Sequence, residues 1–321
     1  VFYWILHLAW PKLKNYFILA AMLFVVYPGF LAQPHAATKI NHLLGYGAAL
    51  FSIALTLQAA KTSHKGLKIS CYGLTILSLA FYLWIYEYML GLEIMRITLL
   101  FWILRQGAGV KVSAVFKRVF LTYIPNILVI GSFLYWRLFN FVGTRKTTDV
   151  GGLVTDCLAH PAAMVFRLLF QEIKDFFSAS LFAWFVQPYH LLASADFGGI
   201  VAACLTACAV ALLAVWTIRA ARYSDNPDNE NGAAGAVVIG ALITLAAVFP
   251  VVLSNRHLDL MDAYKAYALH PSAGVLILLL GLVAMIKPYF RKPVLLALLA
   301  LSVGTQSLNA QRWANLWDVQ R

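Results

Sequence analysis

The sequence predicts an all-α, polytopic membrane protein, and three observations carry that prediction. Apolar runs of 16 to 20 residues recur along all 321 positions, each long enough to cross a hydrocarbon core of about 30 Å. Only 12% of the residues are charged and mean hydropathy is +0.77, where a soluble domain carries about 25% charge. The bases gather in short clusters between the runs: Lys12 and Lys14; Lys61, Lys65 and Lys68; Lys117 and Arg118; Lys287, Arg291 and Lys292. Such clusters are topology signals. The alternation of a membrane barrel is missing.

Apolar runs and their breakers place crossings at 1–10, 16–31, 42–60, 69–86, 97–110, 119–136, 199–218, 235–253, 272–286 and 294–308. That makes nine or ten, the fifth being short enough to re-enter instead of crossing. The chain divides into an N-terminal bundle (1–136), a loop segment (137–198), a C-terminal bundle (199–308) and a tail (309–321). Val1 lies inside the apolar stretch VFYWILHLAW and Arg321 closes the amphipathic run SLNAQRWANLWDVQR. These ends read as those of an excerpt, either because the chain is processed or because it is part of a longer protein, with the tail truncated.

The loop segment opens on turn residues, including Gly143, Asp149 and Gly151, and continues as HPAAMVFRLLFQEIKDFFS. There Phe166, Leu169, Phe170, Ile173 and Phe177 share one helical face, opposite Arg167, Gln171, Lys174 and Asp175. Pro161 suits the first turn. The pattern predicts a helix over 163–178 lying in the membrane interface, with a solvent-facing helix as the alternative. Gln187, Pro188 and His190 interrupt 179–195, which reads as re-entrant or interfacial. If 137–198 does not cross, the loops 11–15, 61–68, 105–118, 219–234 and 287–293 share one side, with 14 Lys/Arg in 50 residues. The opposite loops hold 11 in 113. The first set is then cytoplasmic, and the long segment and the tail are outside.

The net charge of +12 invites nucleic acid, but bases scattered between apolar runs suit anionic lipid headgroups instead. The four cysteines form no metal or redox motif. Cys204 and Cys208, in GIVAACLTACAVALLAVWTI, are expected to be buried, unpaired packing residues.

Chemistry is sought where charge interrupts apolar sequence. Between Ile69 and Leu104 the only Asp, Glu, Lys or Arg residues are Glu87, Glu93 and Arg96, within YEYMLGLEIMR, and a charge at the bilayer centre costs about 2.5–3.5 kcal/mol on insertion scales. A continuous helix puts Glu93 and Arg96 on one face and Glu87 away from both. A break at Gly91 would bring all three to the outer rim. The catalytic reading makes Glu87 or Glu93 a base and Arg96 a phosphate grip. The structural reading is a Glu93–Arg96 pair that lets a helical hairpin turn. Arg256 and His160 are further candidates for substrate contact, and Asp259 with Asp262 for a divalent metal ion. Solvated loop charges and helix-boundary histidines are the plainer readings of these four. No zinc motif, nucleophile elbow or Gly-rich phosphate loop occurs. Tyr82, Trp84, Tyr86, Tyr88, Tyr135, Trp136, Trp313 and Trp317 read as interfacial aromatics.

The segments YEYMLGLEIMRITLLFW, PNILVIGSFLYWRLFNF and YALHPSAGVLILLLGL resemble a group of uncharacterised prokaryotic polytopic membrane proteins. Those are similar in turn to the C-type, polyprenyl-phosphate-dependent glycosyltransferases. The resemblance covers about residues 40 to 320. It implies a prokaryotic inner-membrane protein handling a polyprenyl-phosphate-linked sugar at the outer face, with Glu87, Glu93 and Arg96 as site-rim or structural positions. The acid that those enzymes carry in their first outer loop has no counterpart in 32–41. The alternative is a non-catalytic subunit of a larger membrane complex, its partners being lipids and other membrane subunits. A transporter would need repeats or paired broken helices, and none is found.

Overall fold

The computed structural model describes residues 1–106, 111–141, 155, 157–220, 232–260 and 266–319, which form helices and turns with no strand among them. We number the helices α1 (Phe2–Ala9), α2 (Phe17–Val25), α3 (Ala36–Lys61), α4 (Lys65–Ile85), α5 (Leu92–Arg105) and α6 (Val112–Phe139). They continue as α7 (Pro161–Ser180), α8 (Val186–Ala193), α9 (Phe197–Ala220), α10 (Ala233–Leu253), α11 (Ser272–Met285) and α12 (Pro288–Val319).

Six of these are long and apolar enough to cross a membrane: most of α3, all of α4, α6, α9 and α10, and most of α12. The other four expected crossings are shorter. α1 and α2 hold 8 and 9 residues, or about 12 and 14 Å, because Pro11 and Pro28 interrupt their runs. α5 and α11 hold 14 each. Both are enclosed by other helices along most of their length.

The tightest packing joins α10 to α11. A side chain on Gly240 would meet the backbone of Leu278 at 2.2 Å, and one on Gly274 or Gly281 would meet Thr244 N or Val237 N at 2.6 Å. Small residues let helix backbones touch where burial from water contributes nothing.

Side-chain bonds sort the connections into two ends. At one end Lys61 Nζ donates to Leu8 O, while Trp102 Nε1 (3.0 Å) and Gln106 Nε2 (2.6 Å) donate to Ala9 O. The antiparallel glycine contacts bring the starts of α10 and α12 to this basic end. At the other, Gln306 Nε2 donates to Tyr27 O (3.2 Å) and Phe30 O (3.0 Å), and Asn309 Nδ2 to Leu31 O (2.8 Å). α7 and α8 belong to this second end. Asp175 Oδ2 accepts from Leu258 N at 3.0 Å, Tyr27 O–H donates to Ala179 O at 2.6 Å, and Gln187 Nε2 donates to Leu260 O.

α7 splits its polar face, with Arg167 and Lys174 exposed and Asp175 turned inward. Asp175 and Ser178 are buried, whereas Phe166, Leu169, Phe170, Ile173 and Phe177 are all exposed, which suits a helix whose outer surroundings are lipid. The 179–195 stretch becomes a short turn followed by α8. Cys204 and Cys208 correct an expectation: they are free but exposed. The seam of α9 is instead Ala203, Ala207 and Ala214. One residue further along a helix lies about 100° around it, which turns both thiols outward.

Candidate functional site

Glu93 and Arg96 sit in the first turns of α5, which starts where Gly91 lets the preceding turn press into α10. A Cβ on Gly91 would stand 2.1 Å from Ala246 O. Glu93 is 4% exposed and Arg96 fully buried. Arg96 Nε donates to Glu93 Oε2 at 3.0 Å and Nη2 to Oε1 at 2.9 Å. The remaining N–H groups reach α3: Nη1 to Ser52 O (3.1 Å) and to Thr56 Oγ1, and Nη2 to Ser52 Oγ (2.9 Å). Tyr82 O–H of α4 donates to Glu93 Oε1, and Tyr123 O–H of α6 to Oε2 at 2.8 Å. Thus the five donors of the guanidinium and the lone-pair sites of the carboxylate are all taken. A carboxylate in this state has no lone pair for a substrate proton. What the arrangement does is tie α3, α4, α5 and α6 together.

Glu87 is held elsewhere. In the turn after α4 it pairs with Arg137 of α6, whose guanidinium lies 4.4 Å from the Phe141 ring centroid. On α4 and α6, Trp84, Phe133 and Trp136 cluster edge-to-face or tilted, with ring centroids 5.3 to 6.4 Å apart. The three charges read together in the sequence therefore form two separate bridges.

Tyr86 and Tyr88 lead from this turn to a third group. α10 closes with Asn255 in the left-handed region at φ 58°. Asn255 N donates to Val252 O and Arg256 N to Val251 O, the double bond that ends a helix when one residue adopts that conformation. This cap sets Arg256 above Tyr88 and Tyr267, 5.6 and 5.8 Å from their ring centroids, donating to Tyr267 Oη. Beneath lies His270, fully buried and 6.2 Å ring to ring from His42, with both nitrogens unpartnered, as is His42 Nδ1. Burial first, and His42 second, push the His270 imidazole down to about 3, so the ring is neutral.

The remaining candidates are His160, Asp259 and Asp262. His160 is the exposed residue before α7. Asp259 is half-buried and partnered, and Asp262 lies outside the described residues. Among the described residues no group of three or more His, Cys, Asp or Glu can hold a metal ion.

Three features were not singled out in the sequence. Glu172, on the inward face of α7, has both carboxyl oxygens enclosed without a partner. Burial first, and Asp175 second, push its carboxyl up to about 8. A cavity of about 460 Å³ opens between α8, α9 and α12, lined by His190, Ser194, Asp196, Gln311, Arg312 and Asn315. A second cavity of about 460 Å³ lies among α1, α2 and α3. Neither is lined by Glu87, Glu93, Arg96, Arg256 or His160. The i,i+3 spacing of Glu172 and Asp175 was a readable signal; cavities assembled from distant helices leave none.

No protein-family model, curated protein or solved structure matches the chain. The functional argument therefore rests on this geometry.

Proposed function

We propose that this chain is a structural or accessory subunit of a larger complex in a prokaryotic inner membrane. The nine or ten apolar segments cross or half-cross the bilayer, with the basic end in the cytoplasm and α7 in the outer interface. One observation carries the reading: Glu93 and Arg96, a buried pair of opposite charges, are saturated by each other and by side chains and a carbonyl from three neighbouring helices. A site of chemistry keeps a group free; a strut does not. Two spans also present surface for neighbours, since the central stretches of α6 and α9 are only 22% and 17% buried.

The exposed thiols of Cys204 and Cys208 make the test direct. Benzophenone maleimide is attached to them in native membranes and photolysed. The expected result is a discrete, heavier protein product that disappears in the C204A/C208A double variant. Adducts to lipid alone, with the chain remaining monomeric, would overturn the reading.

A second reading, handling of a polyprenyl-phosphate-linked sugar at the outer end, is favoured by the polar cavity between α8 and α12. Arg312 would hold the phosphate there and Asp196 would take the acceptor proton. Asp196 Oδ1 already accepts from Gly199 N at 2.6 Å, leaving Oδ2 for that role. Loss of sugar transfer in D196N and R312Q, with E93Q still active, would establish this reading over the first.

A further inference from the structure

The cavity among α1, α2 and α3 has a wall chemistry that specifies its ligand. Phe2, Phe24 and Tyr46 form a ladder of stacked rings along it, with centroids 4.5 and 6.0 Å apart. Val25, Phe30, Leu43, Leu50 and Leu269 add further apolar wall. Among the described residues no Asp, Glu, Lys, Arg or His side chain lines it.

The polar groups of the wall are already engaged, with one exception. Tyr27 O–H donates to Ala179 O at 2.6 Å. Tyr46 Oη and Ser272 Oγ share a bond of 2.9 Å, Tyr46 Oη accepts from Ala273 N at 3.0 Å, and Ser272 Oγ donates to Leu269 O at 2.7 Å. Gln33 is the exception, its Oε1 enclosed and without a partner. Rotation about its soft terminal torsion brings that amide to the cavity.

A volume of about 460 Å³ is that of a small-molecule site. A phosphate or carboxylate head would lose its water here and find no cationic side chain among the described lining residues, which is costly. A hydroxyl head fits, because it both donates and accepts and so pairs with the Gln33 amide in either orientation. We propose that this cavity binds an uncharged amphiphile, an apolar body along the aromatic ladder with a hydroxyl head at Gln33. The site is independent of the accessory-subunit reading, since it shares no residue with the Glu93–Arg96 cluster or the α9 face.

Gly47 provides a clean variant. It lines the cavity, and a Cβ built on it meets nothing within 4 Å, so Gly47→Leu fills the space without displacing a neighbour. The full chain in phosphatidylcholine nanodiscs is photolabelled with a tetradecanol carrying a diazirine in its chain, and the labelled peptides are mapped. Only labelling that excess tetradecanol competes away is counted, because general partition into the bilayer does not saturate.

The expected result is saturable labelling of the peptides carrying Phe24, Tyr46 and Leu50, with tetradecyl phosphate competing at least tenfold more weakly. G47L should abolish it, and Q33L should weaken it about tenfold, the equivalent of one hydrogen bond. Ala21→Leu, on the facing helix, serves if G47L lowers the melting temperature. No saturable labelling, equal competition by the phosphate, or undiminished labelling in both filled variants would each overturn the proposal.

Discussion

The Glu93–Arg96 cluster and the non-basic end of the bundle treat buried polar atoms in opposite ways. Around Arg96 each guanidinium N–H and each side of the Glu93 carboxylate finds a partner, either in the other member of the pair or on α3, α4 or α6. At the end of the bundle, His42, His270, Glu172 and Gln33 all keep enclosed atoms that nothing satisfies. An unsatisfied buried group costs about 1–3 kcal/mol, a cost that a ligand, water or partner chain meeting it removes. The first region is the mark of a strut. The second is where ligands, waters or partner chains are to be sought.

Removing one side of the strut should produce the largest effect on stability. Arg96→Met leaves the Glu93 carboxylate buried and unpaired, a loss of about 3–5 kcal/mol, read by titrating unfolding in mixed micelles. Tyr82→Phe and Tyr123→Phe each strip one donor from Glu93, and each should cost about 1–3 kcal/mol. If either tyrosine variant matches R96M in cost, the cluster works through packing and not through its bonds.

At the other end, Glu172 predicts a dependence on pH. Its folded-state value of about 8 lies above the ordinary 4.5, so the folded protein holds a proton that the unfolded chain releases. Its contribution to stability is complete below about pH 4.5 and is lost as pH rises through about 8. Glu172→Gln should flatten stability across that window and stabilise the protein most at alkaline pH. An unchanged profile in E172Q would place that carboxyl in water.

The smallest effect is expected at His270. Its nitrogens have no partner to lose, so His270→Leu should change stability by less than about 1 kcal/mol. A loss as large as that of R96M would mean that a bound water or ligand completes the site.

The sequence carried the parts of this contrast that are local. The i,i+3 spacing of Glu93 and Arg96 announces their pairing, and Gly91 marks the break before them. The reason for that glycine, contact with Ala246 O, arises only when α10 packs against the turn. Likewise Ser52, Thr56, Tyr82 and Tyr123 are unremarkable along their own helices, and Arg137 is 50 residues from its partner Glu87. The 3.6-residue period of α7 was legible, but its inward face was not. In lipid the Phe-rich face of α7 turns out, and Asp175 and Ser178 turn to the protein while Arg167 and Lys174 stay exposed, which departs from the rule for soluble helices. The same departure misplaced Cys204 and Cys208, since on α9 alanines take the seam and larger side chains face outward.

A double-mutant cycle over Glu93 and Arg96 asks most directly whether these charges are a strut. Unfolding free energies would be measured for the parent, E93Q, R96M and E93Q/R96M. In a closed bridge each single variant is strongly destabilised and the double variant recovers much of the loss, because no charge is left unpaired. We predict a coupling of about 2–3 kcal/mol. Single variants as stable as the parent, with losses that simply add, would contradict the bridge and return Glu93 to the list of groups free for chemistry.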